Sequence, residues 1–151
     1  MKLAKALILR SDTKKKFDQL RQRLLNNSKV QEGDQPAENP ESLVKELEST
    51  ASEFENLVKD INKTNSITEF SKGKTLTEAL AERDVLAIRG NAYRAIVNSA
   101  VENELRFGRS EIKFVRTIDA AKIQKKADTI AKQHRELDTK IQELNWKTDL
   151  V

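Results

Sequence analysis

The 151-residue chain contains no cysteine, two prolines, four glycines and only 5% aromatic residues. The lack of cysteine excludes disulfide bonds, thiolate catalysis and cysteine-bound zinc or iron–sulfur clusters. Few glycines and prolines, together with 34% charged residues, favour long helices over a turn-rich β-sandwich. The single histidine leaves little basis for histidine-dependent chemistry. The composition therefore predicts a helical protein.

Long apolar runs are also missing. The N-terminal MKLAKALILR has a basic residue at Lys2, but its longest apolar run is ALIL, whereas a signal peptide needs about 7–15 apolar residues. No stretch approaches the roughly 20 apolar residues of a membrane-spanning helix. We therefore expect a cytoplasmic bacterial protein. LAKALIL could instead form an amphipathic face on a membrane, but we favour a packed helix start because the segment continues into apolar positions.

Apolar residues at spacings of three and four predict two long helices in the first half of the chain. The first runs from about Lys2 to Lys29, and both prolines lie in the following loop, VQEGDQPAENP. Asn39 is a suitable cap and Pro40 fits the first position of the second helix, whose seam fades at NKTNS. The predicted apolar faces are Leu3, Leu7, Phe17, Leu20 and Leu24, then Leu43, Val44, Leu47, Ala51, Phe54, Leu57, Val58 and Ile61.

Two further helices are predicted in the second half. Thr75 and Glu78 form a capping-box pattern before the third helix, which extends through NEL at residues 103–105. Its apolar residues surround the helix, which indicates burial by more than one neighbour. Asp119 is a suitable cap for the fourth helix. The apolar ladder of that helix is Ile123, Ala127, Ile130, His134, Leu137, Ile141 and Leu144.

These features predict an all-α fold: an antiparallel four-helix, coiled-coil-like bundle with one short extended connection, forming a single domain over residues 1–151. Charge indicates which helices are neighbours. Residues 1–30 carry a net charge of +7 and residues 31–60 a net charge of −7. A basic block of this kind also occurs in nucleic-acid-binding proteins. We favour pairing of the first two helices and expect only weak DNA binding, lost near physiological salt.

The sequence provides little evidence for catalysis or cofactor binding. His134 and Asp138 are four residues apart on a helix, but two ligands do not make a convincing metal site, and His134 also belongs to the apolar ladder. Glu82 and Asp84 point to different helix faces and form no carboxylate pair. Ser110 has no identifiable base. We predict no catalytic residue, no cofactor, no metal and no specific nucleic-acid or small-molecule ligand.

The segment RSEIKFVRTID, residues 109–119, differs from its surroundings because it is rich in β-branched and aromatic residues. Alternation of Ile112 and Phe114 with Lys113 is typical of a short half-buried strand. A strand needs a pairing partner, so we consider two interpretations, a packed loop and a contact between subunits. The candidate contact residues are Arg109, Ser110, Glu111, Ile112, Lys113, Phe114, Arg116 and Asp119.

Several stretches together resemble the septicolysin-like family of small bacterial helical proteins. They are LLNNSKVQEGDQPAENP, INKTNS, GKTLTEALAERDVL, RSEIKFVRTID and IQELNWKTDL. The resemblance implies a helical, oligomeric protein and a relationship to a pore-forming cytolysin. Besides residues of the 109–119 segment, the family-like positions are Glu82, Arg83 and Asp84, to which the resemblance assigns no role.

We expect a homo-oligomer that acts as a structural or interaction module, because the regular seams and the third helix leave apolar surface for another subunit. A membrane-active, septicolysin-like cytolysin is the alternative. A third hypothesis is a metal-binding or enzymatic site assembled between subunits.

Overall fold

The computed structural model describes residues 1–105 and 112–151, without the side chains of residues 103–105. Four long helices make up most of it: α1 (Leu3–Asn26), α2 (Pro40–Ile67), α3 (Leu76–Leu105) and α4 (Ala120–Lys147). Two short strands, β1 (Glu69–Ser71) and β2 (Lys74–Thr75), lie between α2 and α3. The predicted all-α, four-helix fold is confirmed.

The elements group into two compact units. The first contains Met1–Thr68 and Leu144–Val151, and the second contains Glu69–Glu143. The boundary therefore falls inside α4, whose last residues belong to the first unit. The single-domain organisation remains a prediction.

In the first unit, α1 and α2 form an antiparallel pair. Nζ of Lys16 lies 3.4 Å from Oε1 of Glu46. The Arg23 guanidinium donates hydrogen bonds to the carboxylate of Glu38, which lies just before α2. Later residues of α1 thus meet earlier residues of the α2 region. The hydrogen bond from Arg23 lowers the pKa of Glu38. The predicted pairing of the basic first helix with the acidic second is confirmed.

The two chain ends are joined within this unit. Lys2 and Asp149 form an antiparallel bridge, and their side chains form an ion pair of 3.0 Å. The Leu150 N–H donates to the Met1 carbonyl at 2.7 Å. The Val151 N–H donates to Oγ1 of Thr64 at 3.1 Å, so the C-terminal residues are also tied to α2.

The buried face of α2 follows most of the predicted seam, since seven of its eight residues are buried or half-buried. The exception is Val44, which is 46% exposed, and the face also includes Thr50 and Thr64, which are 2% and 0% exposed. Burial of Thr64 extends this face into NKTNS, where we expected the apolar seam to fade. Thr64 tolerates burial because its hydroxyl donates to the Asp60 carbonyl at 2.7 Å, which satisfies the polar group inside the helix.

A small β-hairpin opens the second unit. β1 and β2 pair antiparallel, and Gly73 in the turn has a φ of 75°, a conformation that glycine adopts at little cost. The predicted capping box follows immediately. The Thr75 N–H donates to the Glu78 carboxylate at 2.7 Å, and the Glu78 N–H donates back to Oγ1 of Thr75 at 3.3 Å. The bond from the Thr75 N–H, followed by the bond that the Thr75 hydroxyl donates to the same carboxylate at 3.0 Å, lowers the pKa of Glu78.

Within the second unit, α3 and α4 also run antiparallel. Nη1 of Arg83 lies 3.0 Å from Oδ1 of Asp138, and further along α3 the Tyr93 ring lies 5.0 Å from Nζ of Lys126. The predicted α4 ladder is confirmed, since each of its seven positions is buried or half-buried.

Two leucines of α1 offer a test of this packing. Leu20 is 1% exposed and lies on the side of α1 that carries Lys16 and Arg23, whereas Leu25 is 55% exposed. We predict that Leu20→Ala lowers the free energy of unfolding by about 2–5 kcal/mol, because it leaves a cavity. Leu25→Ala is the matched control and should change it by no more than about 0.5 kcal/mol. Urea denaturation measures both, and equal losses would contradict the assigned face.

Candidate interaction surface

One side of α3 carries apolar residues that the chain leaves exposed. Val85, Ile88 and Ile96 are 52%, 66% and 43% exposed, whereas Leu86 and Val97 on the other side are buried. Within this chain α4 lies against the other side of α3, so burial of this side by a further neighbour stays a prediction. Val85, Ile88, Ala92, Ala95 and Ile96, here called the α3 stripe, recur at spacings of three and four along the helix.

The spacing of the stripe can be read in the sequence, but its exposure cannot. Four apolar or small residues at positions 85, 88, 92 and 95 form the start of a heptad pattern. Apolar residues all around α3 predict apolar surface left for another subunit, but they do not indicate which residues form it. Only the position of α4 shows that the opposite side of α3 supplies the core.

The described part of the 109–119 segment is also exposed. Ile112, Phe114 and Val115 are 78%, 68% and 81% exposed, and residues 112–119 contain no strand. No described strand of the same chain pairs with these residues, so a strand that pairs with another subunit stays a prediction. Arg109, Ser110 and Glu111 lie outside the described residues.

A groove connects the segment with the α3 stripe. Its volume is about 450 Å³. One wall is formed by α3 and the other by the segment, and the lining residues are Ala95, Ile96, Ser99, Ala100, Phe114, Val115, Arg116, Thr117 and Ile118. The stripe, the groove and the apolar side chains of the segment thus form one surface of the second unit, here called the apolar surface.

The C-terminal end of the segment is fixed by a helix cap. Oδ1 of Asp119 accepts a hydrogen bond from the Lys122 N–H at 3.1 Å, and the Asp119 carbonyl accepts from the Ile123 N–H at 3.1 Å. The predicted cap is confirmed. Lys113 and Arg116 are exposed, so charged groups lie among the apolar residues of the segment.

Glu82, Arg83 and Asp84 form ion pairs within the second unit. The Glu82 carboxylate lies 2.6 Å from Nζ of Lys74. Arg83 contacts both Asp84, at 3.2 Å, and Asp138 of α4. Glu82 and Asp84 thus bind different cations, consistent with their predicted positions on different faces. Arg83 links the two helices of the unit, which gives it a structural role.

The structure adds nothing in favour of a metal site at His134. Asp138 accepts from Arg83 at 3.0 Å and from Nε2 of Gln142 at 3.3 Å, so its carboxylate already has two donors. In the part of the chain that the structure describes, no three His, Asp or Glu side chains are grouped to hold an ion. Within that same part, no helix has the length and apolar character needed to cross a membrane.

Comparison with known proteins identifies the family to which the chain belongs. A model of a family of unknown function, DUF6847, matches residues 10–150. The chain belongs to this family. It is similar to a protein from Corynebacterium diphtheriae whose crystal structure is described as that of a functionally unknown conserved protein. The identity is 48%, the match covers 100% of this chain and 99% of the other, and the TM-score is 0.96. No curated protein matches.

The family match corrects the resemblance drawn from the sequence. Neither DUF6847 nor the similar crystal structure points to septicolysin, so the expected septicolysin-like membership is wrong. The relationship to a cytolysin that rested on the resemblance is lost with it.

The link between Arg83 and Asp138 can be measured by a double-mutant cycle. Both groups are partly shielded from solvent, with side chains 26% and 38% exposed. We predict a coupling energy of about 1 kcal/mol between Arg83→Gln and Asp138→Asn, obtained from urea denaturation of the two single variants and the double variant. The more exposed pair Lys14 and Asp18, whose side chains are 53% and 52% exposed, serves as control and should give a smaller value. Coupling near zero for Arg83 would contradict its structural role.

Proposed function

We propose that this member of DUF6847 is a homo-oligomeric interaction module whose copies meet through the apolar surface of the second unit. The observation that carries the proposal is the exposure of apolar residues at one continuous place. Ile88, Phe114 and Val115 are each at least 66% exposed, and they belong to the stripe and the segment that share a groove. Contiguous exposed apolar patches mark interaction sites more often than scattered residues do.

The α3 stripe is suited to a second copy of the same helix. If two stripes run antiparallel about a two-fold axis, Val85 of one copy lies opposite Ala95 of the other, and Ile88 lies opposite Ala92. Each large side chain then meets a small one, which permits close approach of the helices. A two-fold interface uses the same patch on both subunits, so one stripe supplies both sides of the contact.

The energetics favour burial of the whole surface rather than of the stripe alone. Fully burying a Val, Ile or Phe side chain contributes about 1.5–3 kcal/mol, whereas association costs at least about 4 kcal/mol in lost freedom. The three large residues of the stripe are only 43–66% exposed, so their burial in both subunits contributes about 4–9 kcal/mol, which is comparable with that cost. Together with Phe114 and Val115, the stripe provides several such residues on each subunit. A symmetric dimer buries this set from both of its subunits.

The exposed segment also favours one of the two interpretations of residues 109–119. A packed loop would bury Ile112 and Phe114 inside its own chain, but both are more than two-thirds exposed. We therefore propose that the segment is a subunit contact. The cytoplasmic location belongs to this proposal as well, and it rests on the sequence alone.

The mass of the protein in solution tests the proposal. We expect light scattering at micromolar concentration to give a mass above the 17.2 kDa of one chain. The double variant Ile112→Ser, Phe114→Ser should shift the mass toward the monomer with little change in melting temperature, because these side chains are exposed within the chain. Ile88→Ser tests the stripe in the same way.

A matched control removes apolar groups elsewhere. Ile8 and Leu25 on α1 are 52% and 55% exposed, so Ile8→Ser, Leu25→Ser should leave the mass unchanged. A monomeric wild-type protein throughout the micromolar range would refute the proposal. A lower melting temperature of the Ile112, Phe114 variant at unchanged mass would instead identify the segment as a packed loop.

A further inference from the structure

A second feature of α3 and α4 concerns cationic groups. Arg94 lies eleven residues after Arg83, which is close to three helical turns, so both arginines occupy the same side of α3. Arg83 meets the Asp138 carboxylate of α4. Moving three turns in the opposite direction along antiparallel α4 leads from Asp138 to Ala127, which has no charge. The next residue, Asp128, is acidic, but its carboxylate accepts a hydrogen bond from a side-chain amide of its own helix at 2.9 Å, and Arg94 forms no ion pair within the described residues.

The residues that line the recess beside Arg94 are basic or apolar. A recess of about 200 Å³ is bounded by Arg94 on α3 and by His134 and Arg135 on α4. Its remaining lining residues are Leu86, Ala87 and Ala131. Three nitrogen-bearing side chains thus surround a small space with an apolar floor, and none of the six lining residues is acidic.

The position of Arg94 is defined by its neighbours. Its Nη2 donates to Oδ1 of Asn91 at 2.5 Å, and its Nη1 lies 3.5 Å from the point where a Cβ on Gly90 would stand. The side chain therefore runs back toward the N-terminus of α3, the usual direction for long helical side chains. This direction brings the guanidinium group toward Ala87 and His134.

The neighbouring carboxylates are already paired. The carboxylate of Asp138, one turn beyond His134, pairs with Arg83. Oε1 of Glu136 lies 4.0 Å from Nζ of Lys132. Within the described chain, neither Arg94 nor Arg135 forms an ion pair. Cations that converge on a recess without a carboxylate repel one another, and an anion bound between them removes that repulsion.

We propose that the recess formed by Arg94, His134 and Arg135 binds a tetrahedral oxyanion of the phosphate class. Guanidinium groups match such anions because their planar N–H donors can bind two oxygens together. A neutral imidazole supplies one N–H donor and a protonated imidazole supplies two. A volume of about 200 Å³ accommodates one phosphate group with part of its hydration shell. The site is independent of the apolar surface, so it does not depend on oligomer formation.

The single histidine makes this proposal directly measurable. His134 is the only histidine of the chain, so its imidazole protons give one identifiable pair of NMR signals in untagged protein. Inorganic phosphate should move these signals in a saturable manner at constant pH. Sodium chloride at matched ionic strength should produce only a small, non-saturating change. A phosphate monoester in a parallel titration distinguishes the sources: tighter binding identifies a phosphorylated small molecule, and equal binding identifies a free oxyanion.

Two substitutions on the same helix provide the specificity test. Arg94→Gln should weaken phosphate binding by at least about tenfold, because it removes a charge-assisted donor. Arg89→Gln removes the same charge from an exposed position of α3 that lines a different groove, and it should leave binding unchanged. Arg135→Gln repeats the test from α4. Melting curves of all three variants verify that the fold is retained.

Three outcomes distinguish a specific anion site from general electrostatic attraction. Loss of the phosphate-induced shift in Arg94→Gln and Arg135→Gln, with retention in Arg89→Gln, supports the site. A wild-type response to phosphate no larger than that to chloride would overturn it. Equal weakening by Arg94→Gln and Arg89→Gln would also overturn it, because general electrostatic attraction would then explain the response.

Discussion

In each unit, two long antiparallel helices bury one face against each other, and every other feature depends on that pairing. An isolated helix of 24–30 residues with so many charged positions gains little from propensity alone. Burial of residues such as Leu20 in the first unit and Ile130 in the second supplies the missing stabilisation. The pairing also determines which side chains remain exposed, because one neighbour covers only one side of a helix.

Charge determines which partners and alignments are compatible with this burial. The ion pairs between Lys16 and Glu46 and between Arg83 and Asp138 connect paired helices at points that agree with antiparallel alignment. Exposed pairs of this kind contribute little energy individually. Their value lies in selectivity, since a parallel or shifted alignment of α3 and α4 would leave the partly shielded charges of Arg83 and Asp138 without this partner.

The same pairing leaves two unlike features on the second unit. The α3 stripe faces away from α4 and exposes apolar residues, whereas Arg94 faces α4 but forms no ion pair within the described residues. The first suits another protein surface and the second suits a small anion. DUF6847 has no described function, so these features provide physical starting points for assigning one.

Local features were predictable from the sequence because they depend on residues close together in the chain. Pro40 after Asn39, the Thr75 and Glu78 capping box and the Asp119 cap each require only neighbouring backbone groups. The ladder of α4 and the pairing of basic α1 with acidic α2 follow from periodicity and net charge. The β-hairpin was missed because strands of three and two residues are too short to show a period.

Only the tertiary structure decided which residues of each face are buried. Val44 and Thr50 lie within two turns of each other along α2, yet the threonine is buried and the valine is exposed. Burial depends on where the partner helix lies rather than on hydrophobicity alone. The same reason explains α3. Its sequence contains apolar residues all around the helix and arginines at positions 83 and 94, but the position of α4 determines that Ile88 is exposed, that Arg83 meets a carboxylate and that Arg94 does not.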